Sequence, residues 1–497
     1  MLRERKGLSY QSKHEGFPYQ VETLGFVKGL EYAAIFHEQG LGKTKIAIDL
    51  ALTWLATKVL DSVLIVTKKG LVRNWENEIG IHSFFKAKTL DQDPKNLFFA
   101  FNSPWRLYLT HYEACKTAKG HFALFLKTRK VGVICDESQK MKNPDSELAK
   151  AMHSLATGFA KRIIMTGTPI ANRPFDIWSQ IYFLDQGKAL GKDFESFQAK
   201  LDLPKESAGE AGHHAFEEAL ADIYAKIKDF SVRETKSTCG IVLPDKEVEN
   251  FLVDFEPAQQ KLYEKFRKEL QVDVVQDGKL ITDNAEAILK RLLRLVQVTS
   301  NPRLVDESYS GTPAKMTKLK GLLEPVMKAG HKALVWTSFT ENADWLAHEL
   351  KPYGTAKVHG KLAIEDRNSA IAKFKSEPEC RLLVATPGAA KEGLTLTMAN
   401  YAIFYDRSFS LDDYLQAQDR IHRITQKETC YIYNLLVRDS IDEWVDELLA
   451  AKQVAAQLGQ GDITPEQFRS KMSYAFSSML AEILEIKPED TSEMAYK

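Results

Sequence analysis

Cysteine is scarce and scattered in this 497-residue chain: Cys115, Cys135, Cys239, Cys380 and Cys430 include no C-x-x-C pair. That excludes a zinc ribbon and a disulfide framework, and it fits a reducing compartment. Net charge is missing too. Lys plus Arg number 67 and Asp plus Glu number 67, so bulk charge recruits neither nucleic acid nor membrane. Any polyanion must be held by local geometry. No apolar run approaches the ~18 residues that span a bilayer. The opening Met-Leu-Arg-Glu-Arg-Lys-Gly leads into no apolar signal region. The 12 histidines show no metal-ligand spacing, and His213-His214 sits in a polar stretch and reads as solvated. There is no internal repeat at a period of roughly 20–50 residues and no low-complexity segment. The expectation is an intracellular, cytoplasmic protein, nuclear if eukaryotic, with no membrane partner.

Hydrophobic residues at 44% and charged residues at 27% are ordinary for a globular chain. At about 150 residues per domain, roughly three structural units are expected. Short apolar runs at Ala33–Phe36, Val63–Thr67, Leu107–Thr110, Val131–Cys135 and Arg162–Met165 alternate with amphipathic stretches. Such runs suit parallel strands buried on both faces. In Thr44–Leu55 the apolar positions recur at helical spacing. The rhythm lapses between 175 and 300, where Ala215–Asp229 and Pro257–Val272 read as charged helices. It returns at Ala333–Phe339, Lys357–Gly360, Arg381–Thr386, Tyr401–Asp406 and Tyr431–Val437. The tail from 446 reads as helical, with an N-cap at Thr464. The fold class is therefore α/β: two doubly wound parallel-sheet lobes, a helical insert between them and a helical C-terminal tail.

Three segments carry chemistry. Gly40-Leu41-Gly42-Lys43-Thr44 follows a strand and opens a helix. Its backbone N–H groups can converge on phosphate, Lys43 can reach the β and γ phosphates, and the Thr44 hydroxyl can ligate Mg²⁺. The general pattern asks for glycine five residues before Gly42, where this chain has His37. The second segment is the apolar strand ending in Asp136-Glu137. Two carboxylates there are costly unless they meet a cation, so Asp136 is placed to hold Mg²⁺ and Glu137 to activate water. The third is Gln416–Gln426, in which Arg420 and Arg423 share one face if the segment is helical and could act as arginine fingers. Trp75, Trp178 and Trp336 read as core or lobe-packing groups. The lysines at 315, 318, 320, 328 and 332 read as a solvated helix face, with a DNA-backbone stripe as the alternative.

In order, these blocks resemble the SNF2-like ATPases of helicase superfamily 2, from Gln20 to about Trp444. Phe17-Pro18-Tyr19-Gln20 is similar to the adenine-side motif, Gly40–Thr44 to motif I and Val63–Trp75 to motif Ia. Thr110-His111-Tyr112-Glu113 fits the next block. Asp136-Glu137-Ser138-Gln139 resembles motif II, and Thr166–Asn172 motif III. Ala333–Phe339, Thr386–Ala399 and Gln416–Gln426 resemble motifs IV, V and VI, with wording nearest the annealing-helicase branch. Ser138-Gln139 replaces the usual Ala-His, Thr425 a usual Gly, and Phe409-Ser410 a usual Trp-Asn. A one-residue insertion precedes Gly393. No zinc ligands, long basic arm or bromodomain-like extension accompanies these blocks, which suggests a stripped-down phage, viral or bacterial motor.

The resemblance implies two RecA-like lobes, at 1–175 and 311–445. An insert at 176–310 would carry the interlobe linker near 244, and a tail would occupy 446–497. It implies ATP and Mg²⁺ as cofactors, with Gln20, Gly40, Gly42, Lys43, Thr44, Gly393 and Gln416 around the nucleotide. Lys43, Asp136, Glu137, Arg420 and Arg423 would be catalytic, ATP lying between the lobes. Thr67, Lys68, Thr110, Ser338 and Thr395 would touch nucleic-acid phosphates. The partner would be double-stranded DNA, bound without regard to sequence, together with DNA-bound proteins, and the chain would act as a monomer. The leading expectation is a double-stranded-DNA translocase. A strand-separating DNA or RNA helicase and a nucleotide-gated binding module are the alternatives.

Overall fold

A computed structural model of the chain describes residues 9–170, 172–201, 209–241, 243–276, 279–280, 285–390 and 395–471. Gly393, expected at the nucleotide, and Ala171 of the motif III block lie outside the described residues. The chain divides into two compact units. The first is built from the residues up to 201, from 214–241 and from 455–468, and the second from 243–454.

Seven strands form the sheet of the first unit: β1 (Tyr32–Ile35), β2 (Ser62–Thr67), β3 (Lys88–Thr89), β4 (Leu107–His111), β5 (Val131–Asp136), β6 (Lys161–Met165) and β7 (Ser231–Val232). Their order is β3-β4-β2-β5-β6-β1-β7, and every pairing is parallel. β2 and β5 are buried along their whole length, which explains why their sequences are continuous apolar runs rather than alternating ones. The helix Lys43–Ala56 packs Ile46, Ala47, Leu50, Ala51, Trp54 and Leu55 into the core that β1, β2 and β4 line on one side.

The second unit holds β8 (Lys246–Val253), a small antiparallel hairpin of β9 (Val275–Gln276) and β10 (Lys279–Leu280), then β11 (Ala333–Trp336), β12 (Thr355–Val358), β13 (Leu382–Ala385), β14 (Tyr401–Phe404) and β15 (Cys430–Val437). The main sheet runs β12-β13-β11-β14-β15-β8, again all parallel. Leu334 and Trp336 of β11 join one core while Ala333 and Val335 join another. Alternate side chains thus bury on opposite faces, as in a doubly wound sheet. The two parallel-sheet α/β lobes are as expected.

The stretch between 176 and 310 is not purely helical. Helices Trp178–Asp185, Gly209–Ile227, Pro257–Val274 and Ala285–Ser300 are present, but β7 and β8 are edge strands of the first and second sheets. β8 reads Lys-Glu-Val-Glu-Asn-Phe-Leu-Val and is largely exposed, so no apolar run marks it. In the tail, Thr464 caps the helix Pro465–Lys471 reciprocally: its hydroxyl accepts from Gln467 N at 3.3 Å and its own N–H donates to Gln467 Oε1 at 3.0 Å.

The lysine run before β11 is not a free basic stripe. Lys318 lies over the Phe251 ring, Lys320 pairs with Glu349, Lys328 with Glu324, and Lys332 donates to backbone carbonyls. Lys315 is fully buried, 2.7 Å from Asp442. Asp442 also accepts from Thr299 Oγ1 and from Val437 N, each at 2.9 Å. Removing one partner of a buried pair leaves the other uncompensated. Lys315→Met should therefore cost about 3–5 kcal/mol in urea unfolding, and adding Asp442→Asn should recover much of that loss. A single variant as stable as the parent would mean that the pair contributes nothing.

Candidate functional site

The phosphate loop follows β1 directly. Gly40 and Gly42 have φ of 88° and 68°, a left-handed backbone that glycine adopts at little cost. A Cβ at Gly42 would also sit 2.4 Å from Gln20 Nε2, so the Gln20 side chain would have to give way. Lys43 Nζ donates to the carbonyls of His37 at 2.8 Å and Glu38 at 3.2 Å, which curls the ammonium back over the loop. Thr44 stands half-exposed in the first turn of the helix. Gln20 is buried and braces the loop, donating to Leu41 O at 3.2 Å, the carbonyl that Tyr19 OH also reaches at 3.1 Å.

His37, the departure from the glycine pattern, is a completely buried strut. Its Nδ1 accepts from Glu234 N at 3.0 Å, so the proton sits on Nε2, which lies 2.7 Å from Thr23 Oγ1. Burial, then Lys43 and Arg233, push its pKa down to about 3, and the ring stays neutral. Motif III lies against the same loop: a Cβ on Gly167 would meet Gln39 Cγ at 2.6 Å and Lys43 Nζ at 3.4 Å.

The carboxylate pair ends β5. Asp136 is buried, and its Oδ2 accepts from Trp75 Nε1 at 2.8 Å and Thr67 Oγ1 at 3.2 Å. Tyr112 OH donates to its carbonyl at 2.9 Å. Glu137 adopts φ 54°, ψ 50°, a left-handed conformation that is costly for a residue other than glycine and clusters at functional sites. Lys68 Nζ sits 3.2 Å from Glu137 Oε2, and the Gln139 amide donates to that same oxygen. Burial and the charge of Glu137 push Asp136 up to about 6. Burial opposes charge on Glu137 as well, but Lys68, Gln139 and Lys43 together hold it down to about 2. Ser138 Oγ donates to Gln180 Oε1 at 2.7 Å and Gln180 Nε2 to Pro169 O at 3.0 Å, tying this turn to motif III.

Several side chains expected at nucleic acid are engaged within the protein. Thr67 and Thr110 are fully buried: Thr67 serves Asp136, and Thr110 donates to the Leu90 carbonyl from inside the sheet. Lys68 is on Glu137. Trp75, read as packing, is indeed buried, but its indole N–H gives it a second task that the sequence did not reveal.

In the second unit, motif V and VI residues come together. Arg423 Nη1 donates to Thr395 Oγ1 at 3.0 Å, Leu396 N to Arg420 O at 2.9 Å, and Gln426 Nε2 to Ala399 O at 3.0 Å. The helix Leu411–Gln418 ends before the arginines, so they share no helix face. Each instead donates Nε to the carbonyl four residues back, Arg420 to Gln416 at 2.9 Å and Arg423 to Asp419 at 2.6 Å. Arg420 is buried at 3% exposure while Arg423 is partly exposed, so the two are not equivalently placed. Gln416 is buried and donates to Asp412 Oδ1 at 2.6 Å. Ser338 is partly exposed and gives its backbone N–H to Asp406 Oδ1 at 2.6 Å. Among the described residues no group of three or more His, Cys, Asp or Glu is placed to hold a metal ion, and no helix is long and apolar enough to cross a membrane.

Two family models match the chain: the SNF2-related domain over residues 19–304 and the helicase conserved C-terminal domain over residues 314–425. Among curated proteins, an uncharacterized ATP-dependent helicase of Mycoplasma pneumoniae is 27% identical, over 88% of this chain and 41% of its own length. A DNA repair and recombination protein RAD54-like of Danio rerio is 27% identical over 84% of this chain and 62% of its own. The ISWI chromatin-remodeling complex ATPase ISW1 of Saccharomyces cerevisiae is 24% identical over 93% and 42%. The chain thus spans less than two thirds of the length of these relatives. A solved Sulfolobus solfataricus SWI2/SNF2 ATPase core domain is 24% identical, covers 98% of each chain and has a TM-score of 0.42. The SNF2-related match runs through the phosphate loop, the carboxylate turn and motif III and takes in more than half of the sequence, and on that match the chain belongs to the SNF2-related family.

Proposed function

We propose that the protein hydrolyses ATP in a nucleic-acid-dependent manner to translocate along double-stranded DNA, remodelling protein–DNA complexes or junctions without extended strand separation. The observation that carries the hydrolytic part is the proximity of Lys43 to the Asp136–Glu137 pair. Lys43 is near enough to favour the charged form of both carboxylates. The ends of β1 and β5 also lie on one edge of one parallel sheet, with β6 between them, the edge at which such folds bind ligands.

In this reading the N–H groups of Gly40–Thr44 and the Lys43 ammonium hold the β and γ phosphates. Thr44 Oγ1 and Asp136 Oδ1 offer hard oxygen donors that fit Mg²⁺, since Thr67 and Trp75 both donate to the other Asp136 oxygen. Mg²⁺, when bound, neutralises charge on the phosphates. Glu137 orients a water and takes its proton as the water oxygen bonds to the γ-phosphorus. The bond from that phosphorus to the β–γ bridging oxygen breaks, leaving ADP and inorganic phosphate. Arg423, more exposed than Arg420, is assigned to the charge of the transferring group, while Arg420 shapes its segment. The names of the relatives, a DNA repair and recombination protein and a chromatin-remodeling complex ATPase, support DNA as the track.

Lys43→Ala should abolish turnover in a phosphate-release assay. Glu137→Gln should retain nucleotide binding and hydrolyse ATP at least ~100-fold more slowly; normal turnover in either variant would overturn the assignment. Arg423→Ala should lose roughly 10³-fold in turnover with ATP affinity largely spared, whereas weakened binding at an unchanged rate would make it a ground-state clamp.

Duplex DNA should stimulate hydrolysis more than single strands do, less so as salt rises, because a neutral chain grips DNA through a local set of phosphate contacts. A triplex-displacement assay should show ATP-dependent movement. Efficient unwinding of a long duplex, or stimulation by RNA alone, would promote the helicase alternative.

A further inference from the structure

The last residue of β2 and those just beyond it address the two carboxylates in different ways. Thr67 is fully buried and, with the indole of Trp75, clamps Asp136 from inside the core. Lys68, the next residue, reaches Glu137 from a side chain that keeps 18% of its surface in solvent. Behind it, Lys69 opens the short turn Lys69–Leu71, and Arg73 lies in the first turn of the helix Val72–His82. Both are exposed. Two exposed cations thus follow, within five residues, an ammonium that is tied to the proposed water-activating carboxylate.

We infer that Lys68 is a positioning residue that restrains Glu137 until a nucleic-acid phosphate draws its ammonium away, so that DNA binding releases the carboxylate for hydrolysis. The inference rests on the reading of the chain as a DNA-stimulated ATPase. Oε2 of Glu137 accepts from both Lys68 and Gln139, and an ammonium on a carboxylate oxygen withdraws the negative charge that would take a proton from water. Lysine suits an exchangeable contact, being a compact charge with rotatable donors on a flexible stem. Phosphate competes for it on equal chemical terms, as the contacts of a backbone-tracking loop require. DNA then acts by binding better to the state in which Lys68 has left Glu137, which is the differential affinity any such shift needs.

The test uses the full chain with and without saturating duplex DNA. Lys68→Met and Lys68→Gln should each raise the DNA-free ATPase rate at least about fivefold, the lower end of ordinary coupling between sites. The ratio of stimulated to DNA-free rate should shrink by the same factor. Lys68→Arg, which can form the same pair, should restore the low DNA-free rate and most of the stimulation. If both neutral variants keep a DNA-free rate at or below the parent's while the parent is still stimulated by duplex, the restraint is refuted and the proposed function stands. A parent that duplex DNA does not stimulate would remove that function, and the restraint with it.

Discussion

A parallel strand buried on both faces has to end somewhere, and where it ends in a carboxylate the fold must supply partners for a charge taken out of water. Both units of this protein meet that constraint, in different ways. Just beyond β14, Asp406 receives Ser300 Oγ and Thr337 Oγ1 at 2.6 Å and Asn342 Nδ2 at 3.3 Å on one oxygen, and the Ser338 N–H at 2.6 Å on the other. Its neutral donors cover both oxygens. At the end of β5, Asp136 receives Thr67 and Trp75 on one oxygen, and Glu137 stands beside it under strain. The first arrangement knits a loop together. The second leaves Asp136 Oδ1 outside those two contacts and within the electrostatic reach of Lys43, and the chemistry proposed for the first unit draws on that difference.

The motif blocks work as one hydrogen-bonded assembly more than as a series of separate contacts. The end of β2 and the block after it reach the carboxylates at the end of β5 through Thr67, Lys68 and Trp75. The turn after β5 reaches motif III through Ser138 and Gln180, and motif III returns to the phosphate loop at Gly167. In the second unit, Thr395, Arg420, Arg423 and Gln426 form a similar closed set. Buried polar networks of this kind are costly when half-satisfied, so a change in one block is felt in the next.

What could be read from the sequence follows from this. β2, β5, β6, β11, β13 and β14 were legible because two-sided burial forces unbroken Val, Ile and Leu runs, and the Gly40–Thr44 turn was legible because its left-handed positions favour glycine. β3 and β7 have two residues each, and β8 is an exposed edge strand rich in Glu and Asn, so none carries a periodic signal. Gln416–Gln426 invited a helical reading, but the helix stops at Gln418 and the arginines sit in turns. The direction of a side chain at a strand end was the least accessible feature. Nothing in Thr67, Thr110 or Trp75 as letters distinguishes a hydroxyl or indole aimed outward at phosphate from one aimed inward at Asp136 or a carbonyl.

His37 occupies the position where phosphate loops of this pattern normally place a glycine, and here the imidazole is a fixed joint. It connects the end of β1 to the N-terminal helix through Thr23 and to the strand leaving β7 through Glu234, and the N-terminal helix carries the Gln20 that presses on Gly42. A glycine in its place would conform to the general motif while deleting both crosslinks and opening a void behind the loop. Redesign toward the general phosphate-loop pattern would thus weaken the support of this loop, because here the deviation from the motif is itself part of the scaffold.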